Sequence, residues 1–230
     1  MVKDSIKRKH MRNFYISDIT AWAPGLESDE HLWKEWAEGK ASIIQSTDSP
    51  KLEYTSPLFR RRLSQITKMT VHVIHNLLKK TNIDKETKIV FMSLRGEISR
   101  TLSVTKDLVQ ENMILPAGFS LSVFNTPVSS ATLAFGLKGG YSVIYPSRND
   151  FSQAIKAAAA PVLAGIEKEI ILVYADELVP DAYGDKRPEE NLPMAFACIV
   201  SAEKKPSCLT LEDFPATGKS PSEFLRLLLK

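Results

Sequence analysis

Between residues 141 and 163 the sequence carries a local pattern that presents a nucleophile. Tyr141–Tyr145 reads as a short buried strand, and Phe151–Leu163 is a helical run with alanine at 157 to 160. The turn joining them, Tyr145-Pro146-Ser147-Arg148-Asn149-Asp150, would display a side chain at a helix N-terminus. It holds no Cys. Ser147 is its one serine, and no His–Asp set lies near it in sequence. Other groups capable of chemistry are dispersed. Asp176, Glu177 and Asp181 follow an apolar strand pattern, where carboxylates act as acid–base groups or cap backbone amides. His72 and His75 stand three apart on one helical pattern, without the third ligand a metal site requires. Cys198 and Cys208 make no CxxC pair and have no neighbouring His, so no metal or other cofactor is expected. Cys198 lies in the apolar run Met194–Val200 as a small core residue. Arg60, Arg61 and Arg62 form a basic run ahead of a helix.

Several elements must position these groups. Phe14–Thr20 has the aromatic and β-branched content of a first strand, followed by the loop Trp22-Ala23-Pro24-Gly25. Ser28–Glu38 reads as a helix capped by Ser28 or Asp29 and ended by Gly39. Leu58–Lys80 is a long helical pattern, with Leu63, Ile66, Val73, Ile74, Leu77 and Leu78 on one face. Lys88–Ser93 is a second strand and 98–111 a helix. The segment 119–140 gives an apolar, small-residue helix and a Gly139-Gly140 turn. Pro161 would kink or end the helix it sits in. Glu169–Tyr174 is a strand of the fully buried type. A charged loop over Val179–Pro193 leads to a last strand, Ala195–Glu203, with Leu211–Asp213 as an extension. Pro221–Leu229 is a short amphipathic helix. Strands separated by helices specify an α/β sheet covered on both faces, with one antiparallel pair at its edge.

The 230 residues are 43% apolar and 25% charged, as in an ordinary globular protein. No apolar run is long enough for a membrane span, and no apolar segment follows the basic N-terminus as in a signal peptide. A cytoplasmic location is the expectation. The charge is uneven: residues 1–13 carry +4 of the net +3, leaving −1 for the rest. Residues 1–13 are therefore read as a basic flexible tail and 14–230 as one domain. The body carries no nucleic-acid footprint.

The order of motifs resembles the N-terminal half of the β-ketoacyl synthases, condensing enzymes of the thiolase fold. The resemblance covers about residues 14 to 203. It rests on Phe14–Lys40, with Trp22-Ala23-Pro24-Gly25 and the ending Trp36-Ala37-Glu38-Gly39-Lys40, and on the arginine-led helix Phe59–Leu78. Ser120–Gly140 (SLSVFNTPVSSATLAFGLKGG), Ala154–Asp176 and Leu192–Glu203 complete it. The resemblance implies a single half of a thiolase-like α/β fold, layered α-β-α around a mixed, mostly parallel sheet. It also implies a nucleophile position, which falls at Asn149 or at Arg148 according to the register used. Neither is a thiol, so neither can form an acyl thioester. The family's two catalytic histidines have no counterpart. Only 27 residues follow Glu203, none of them His, and His10, His31, His72 and His75 all lie in the first third.

This combination is similar to the short ketosynthase-like chain length factors of aryl polyene pathways. It implies a non-catalytic subunit paired as a heterodimer with a full-length ketosynthase. The contact would run through Tyr141, Ser142, Val143, Ile144 and Tyr145. Phe119, with Phe124 five residues on, falls where relatives place a bulky residue that gates the acyl tunnel. Arg60, Arg61 and Arg62 would meet an acidic acyl carrier protein. Two other readings stand beside it: an acyl-thioester enzyme using Ser147 with Asp176, Glu177 or Asp181, and a carrier-protein binding module.

Overall fold

A computed structural model describes residues 13–147, 150–184, 191–204, 209–210 and 220–230. The sheet contains β1 (Tyr15–Trp22), β2 (Ile89–Met92), β3 (Tyr141–Ile144), β4 (Glu169–Asp176), β5 (Met194–Ser201) and β6 (Leu209–Thr210), in the order β3-β2-β4-β5-β1-β6. The pairs β2/β3 and β2/β4 are parallel, while β4/β5, β5/β1 and β1/β6 are antiparallel. Strands β1 to β4 thus all run one way. The antiparallel strand β5 lies inside the sheet, not at its edge, because the chain's first strand adds outside it.

Alternation along the central strands fills both faces. Val90, Met92, Leu172, Tyr174, Phe196 and Cys198 point to one side, where they meet α1 (Glu30–Ala37), α7 (Phe151–Leu163) and α8 (Pro221–Leu228). Ile89, Phe91, Ile171, Val173, Ala197 and Ile199 point to the other, against α3 (Gln65–Lys80) and α6 (Thr126–Phe135). Burial on both faces explains the unbroken apolar runs of β4 and β5. Helix α8 closes the first face: Phe224 meets Phe151 and Phe196 at centroid distances of 5.5 and 5.8 Å. The Arg226 guanidinium lies 4.1 Å over the Trp36 ring and donates to the Trp36 and Ala37 carbonyls.

The caps follow the sequence. Asp29 accepts from the His31 and Leu32 amides and starts α1. The expected helix 58–80 is instead two. Ser56 and Pro57 start α2 (Pro57–Arg61), and Ser64 caps α3 afresh by accepting from the Thr67 amide. Helices α4 (Ile98–Glu111), ended by Asn112 in a left-handed conformation, and α5 (Pro116–Phe119) project from the end of β2. Pro161 sits inside α7 without ending it. The expected burial of β3 is overturned. Tyr141, Ser142 and Val143 are exposed, because β3 is the outermost strand. The tail 1–13, apart from Asn13, and the extension Leu211–Asp213 lie outside the described residues. Among the described residues, no helix is long and apolar enough to cross a membrane.

His72 and His75 tie the loop before α2 to α3. His72 Nε2 lies 2.9 Å from Ser28 Oγ and 3.1 Å from Asn76 Nδ2, and its Nδ1 3.3 Å from Tyr54 OH. The Tyr54 ring stacks on His75 at 3.5 Å. Burial pushes the His72 pKa down to about 4, helped by His75 and Lys79. Burial also lowers that of His75. The folded state therefore binds fewer protons than the unfolded one between pH 6.5 and 4. Stability from this stack is complete above pH 6.5 and falls as pH drops towards 4. A shift of this size is worth ~3 kcal/mol, which part exposure of the ring reduces to about 1–2 kcal/mol. His72→Gln is expected to remove this share of the acid sensitivity. Urea midpoints of the two proteins at pH 7 and pH 4 check it, and a parallel fall in both would refute it.

Candidate functional site

At the carboxyl ends of β2 and β4 the chain builds a buried junction. The Asp176 carboxylate accepts Ser93 Oγ and Tyr174 OH at 2.6 Å each, the Leu94 amide at 3.2 Å and the Arg95 amide at 3.1 Å. The Arg95 guanidinium lies 3.6 Å away. Ser93 Oγ in turn accepts the Gly96 amide at 2.7 Å. The turn from β2 into α4 thus hangs on one carboxylate. Burial raises the Asp176 pKa, against the pull of Ser93, Tyr174 and Arg95. Glu177 accepts the Ser99 amide of α4 at 2.8 Å and the Ile66 amide of α3, so it caps two helices together. Glu97 accepts Ser64 Oγ at 2.7 Å and the Thr67 hydroxyl. Asp176 and Glu177 hold backbone amides in place, and Glu97 holds the hydroxyls at the start of α3. The sequence left Asp176 and Glu177 open as acid–base groups, and their hydrogen bonds commit them to the junction.

Beside the junction lies an uncovered apolar face. The outer edge of β3 carries Tyr141, Val143 and Tyr145, all exposed. Asn125 Nδ2 donates to Tyr141 OH at 2.8 Å, and the Phe124 ring meets that of Tyr145 at 6.4 Å. Both contacts join β3 to the start of α6. Helices α4 and α5 extend the face, and neither buries a residue. Leu108, Val109, Met113 and Leu115 are exposed there. Phe119 is 54% exposed, so it is no core aromatic. Phe124 is half-buried against the α3–α6 layer. A Cβ added to Gly96, whose φ is +59°, would fall 2.6 Å from the Phe124 ring. Only glycine fits under that ring. Gly139 is fixed because a Cβ there would strike the Glu86 backbone, and Gly140 by its φ of +75°, which together explain the Gly-Gly turn before β3.

The remaining sequence candidates fall as follows. Arg60 donates to the Thr55 carbonyl at 3.3 Å and is half-buried, whereas Arg61 and Arg62 are exposed. The Arg62 carbonyl accepts from Arg100 Nη2 at 2.8 Å. Arg148 and Asn149 lie outside the described residues. Ser147 is exposed and faces Asp150 across an isolated backbone bridge, and Asp150 is committed as the cap of α7. Asp181 sits in an exposed single turn after β4. A cleft of about 800 Å³ lies at the opposite side of the sheet, between Ser17–Ala21 of β1, Trp33, Lys80 and Leu228. Sequence reasoning singled out Asp176 and Glu177 of the junction, but not Glu97, the cleft or the exposure of α4. For α4 the signal was its small apolar complement next to the richer stripe of α3.

Residues 33–223 match the β-ketoacyl synthase N-terminal domain. The chain belongs to that family. It is also similar to a chain in the structure of the ketosynthase ApeO in complex with its chain length factor ApeC from Xenorhabdus doucetiae. There the identity is 26%, the TM-score 0.70, and the match covers 82% of this chain and 79% of that one. The ishigamide ketosynthase/chain length factor gives 13% identity and a TM-score of 0.66, over 84% of this chain and 64% of that one. Ketosynthase twelve of the bacillaene polyketide synthase of Bacillus amyloliquefaciens gives 13% and 0.58, over 83% and 41%. These last two bear on the fold alone. No curated protein matches the sequence. The thiolase-like fold implied by the motif order is therefore present, and the β3 edge belongs to a ketosynthase N-terminal domain.

The seat of Phe124 can be tested directly. Gly96→Ala is expected to destabilise the domain by ~1–3 kcal/mol through overpacking and a strained backbone. In a Phe124→Ala background the same change should cost only the backbone share. A double-mutant cycle by urea unfolding measures the difference, and strict additivity would show that the ring does not rest on Gly96.

Proposed function

We propose that the chain is a non-catalytic, chain length factor-like subunit that pairs with a full-length β-ketoacyl-ACP synthase. In that complex it helps to shape the partner's acyl tunnel during fatty-acid-like polyketide synthesis of the polyene type. The observation that carries this reading is the free edge of β3. Edge strands are ordinarily blunted by Lys, Pro or a bulge, and Tyr141–Ile144 has none of these. Its row of backbone groups and the apolar surface beside it call for another chain. A relative of near-equal extent occurs in a complex of a ketosynthase with its chain length factor, which favours a ketosynthase as the occupant. Arg61 and Arg62, exposed on the α2 side, suit an acidic carrier protein. An acyl carrier protein is seen with its ketosynthase in another relative of this fold.

Val143 is exposed in the free chain, so Val143→Asp should leave folding intact. Within the complex it buries an unpaired charge, at a cost of ~3–5 kcal/mol. Co-expression with the ketosynthase and affinity capture should show the complex lost while circular dichroism of the variant stays normal. Undiminished capture would place the interface elsewhere.

Phe119 is the proposed limit on chain growth. Because its ring is largely exposed in the free subunit, Phe119→Ala should cost the fold little. Removing the ring should open the tunnel floor and shift the partner's products to longer chains. Product profiling of the wild-type and variant complexes at equal yield checks this, and an unchanged distribution would mean that Phe119 does not measure length.

A further inference from the structure

The side chains around His72 stand in the relation of a nucleophile, a base and a group that orients the base. Ser28 Oγ lies 2.9 Å from His72 Nε2, and His72 Nδ1 lies 3.3 Å from Tyr54 OH. Asn76, one turn on along α3, places Nδ2 3.2 Å from Ser28 Oγ and 3.1 Å from His72 Nε2. An amide nitrogen only donates, so this neighbour assigns the lone pair to Nε2 and the ring proton to Nδ1, facing the Tyr54 oxygen. The Ser28 hydroxyl then has an acceptor in Nε2. Its other acceptor, the Ala21 carbonyl, is farther away at 3.3 Å. The Tyr54 ring is held in its turn by the stack on His75.

This set opens on the cleft beside β1. Ser28 and Asn76 line it with Ile19, Ala21, Trp33 and Leu228, and its volume of about 800 Å³ suits a small organic molecule. The apolar part of the wall would take a short acyl chain. Strand β1 bulges here: its pairing with β5 slips between Ser17 and Thr20, and Asp18 adopts a φ of +55°. Ser28 is exposed, so a carbonyl carbon can approach its hydroxyl. The Asn76 amide lies within reach of the same point, where a negatively charged oxygen would develop. Burial keeps the imidazole neutral at neutral pH, the form that accepts a proton, yet weakly basic, since it titrates at about 4. Nδ1 faces a phenol and not a carboxylate, which leaves the protonated ring less stabilised. Base strength of this kind restricts the site to acyl groups with good leaving groups.

We propose that Ser28, His72 and Asn76 form a hydrolytic site for activated acyl esters. Ser28 Oγ bonds to the acyl carbon while its proton passes to His72 Nε2, and Asn76 donates to the carbonyl oxygen. The bond to the leaving oxygen breaks, and the leaving group takes the proton from Nε2. Water then attacks the acyl-serine, its proton returns through Nε2 to Ser28 Oγ, and the carboxylic acid departs. The site goes beyond the subunit role proposed above and takes no part in condensation, since it lies at β1, four places along the sheet from β3. Two probes on the full chain at neutral pH test it. With p-nitrophenyl butyrate, absorbance should show p-nitrophenolate released faster than in buffer. With phenylmethanesulfonyl fluoride, whose sulfonyl-serine is not turned over, peptide mass spectrometry should find the label on Ser28. His72→Gln should slow the release about a hundredfold or more, and Ser28→Ala should abolish both release and label, with circular dichroism unchanged. Wild-type release no faster than buffer overturns the site, as does release that survives in folded Ser28→Ala, or labelling that spares Ser28. Should neither variant fold, the labelling of the wild-type chain decides.

Discussion

The structure depends on what happens to two adjacent carboxylates at the end of one strand. Asp176 and Glu177 leave β4 at the point where the chain must turn from β2 into α4 and where α3 begins. One collects the donors of the turn, and the other collects the first free amides of two helices. Buried amides without partners would cost about 1–3 kcal/mol each, so this pair does more for the local fold than any single apolar contact nearby. It also sets a direction. With both helices pinned at their N-termini to the same strand end, α3 returns over the sheet and α4 leads away from it.

The two layers solve their covering problem differently. On the α3–α6 side, α3 alone buries eight residues and seals the strands. On the α7 side the small side chains of α7 let it lie close to β4 and β5, and α8 completes the cover. The Phe151, Tyr174, Phe196 and Phe224 rings pack edge-on or offset at 5.4 to 5.8 Å. Arg226 locks α8 to α1 through a ring face and two carbonyls. Both sheet faces are satisfied within the chain. Among the described residues, the β3 edge and the arm formed by α4 and α5 present apolar surface that neither layer covers.

Much of this was legible in the sequence. The bounds of α4 and α7 follow from periodicity, the start of α1 from the pair Ser28-Asp29, of which Asp29 is the cap, and the character of β4 and β5 from apolar runs that two-sided burial allows. Periodicity reports which side chains share a face, but not whether anything covers that face. That is why Tyr141–Ile144 read as buried. Strand order was illegible beyond the parallel unit, because nothing in Tyr15–Trp22 states that β1 joins the sheet outside β5. At the candidate site, the β3 strand and Phe119 were reached by motif order. The junction was reached in part: Asp176 and Glu177 stood out at a strand end as acid–base or capping groups, whereas Glu97 looks like an ordinary solvated acid until Ser64 and Thr67 are brought to it. Gly96 gave no sign either, because the ring that forbids a side chain there belongs to a distant stretch of sequence.

The energetics of α4 follow from its isolation. A helix of 14 residues is marginal in water without a well-buried apolar face, and α4 has only Ile98, Leu102 and Val104 half-buried. Its order draws on those three side chains and on its ends, Glu177 at the first turn and Asn112 at the last, while Leu108 and Val109 stay exposed. Any surface that covers them binds the ordered arm and not the frayed one, so it stabilises the arm by mass action. The β3 edge meets the same region, because the Phe124 ring that covers Gly96, two residues before α4, also contacts Tyr145 beyond the end of β3.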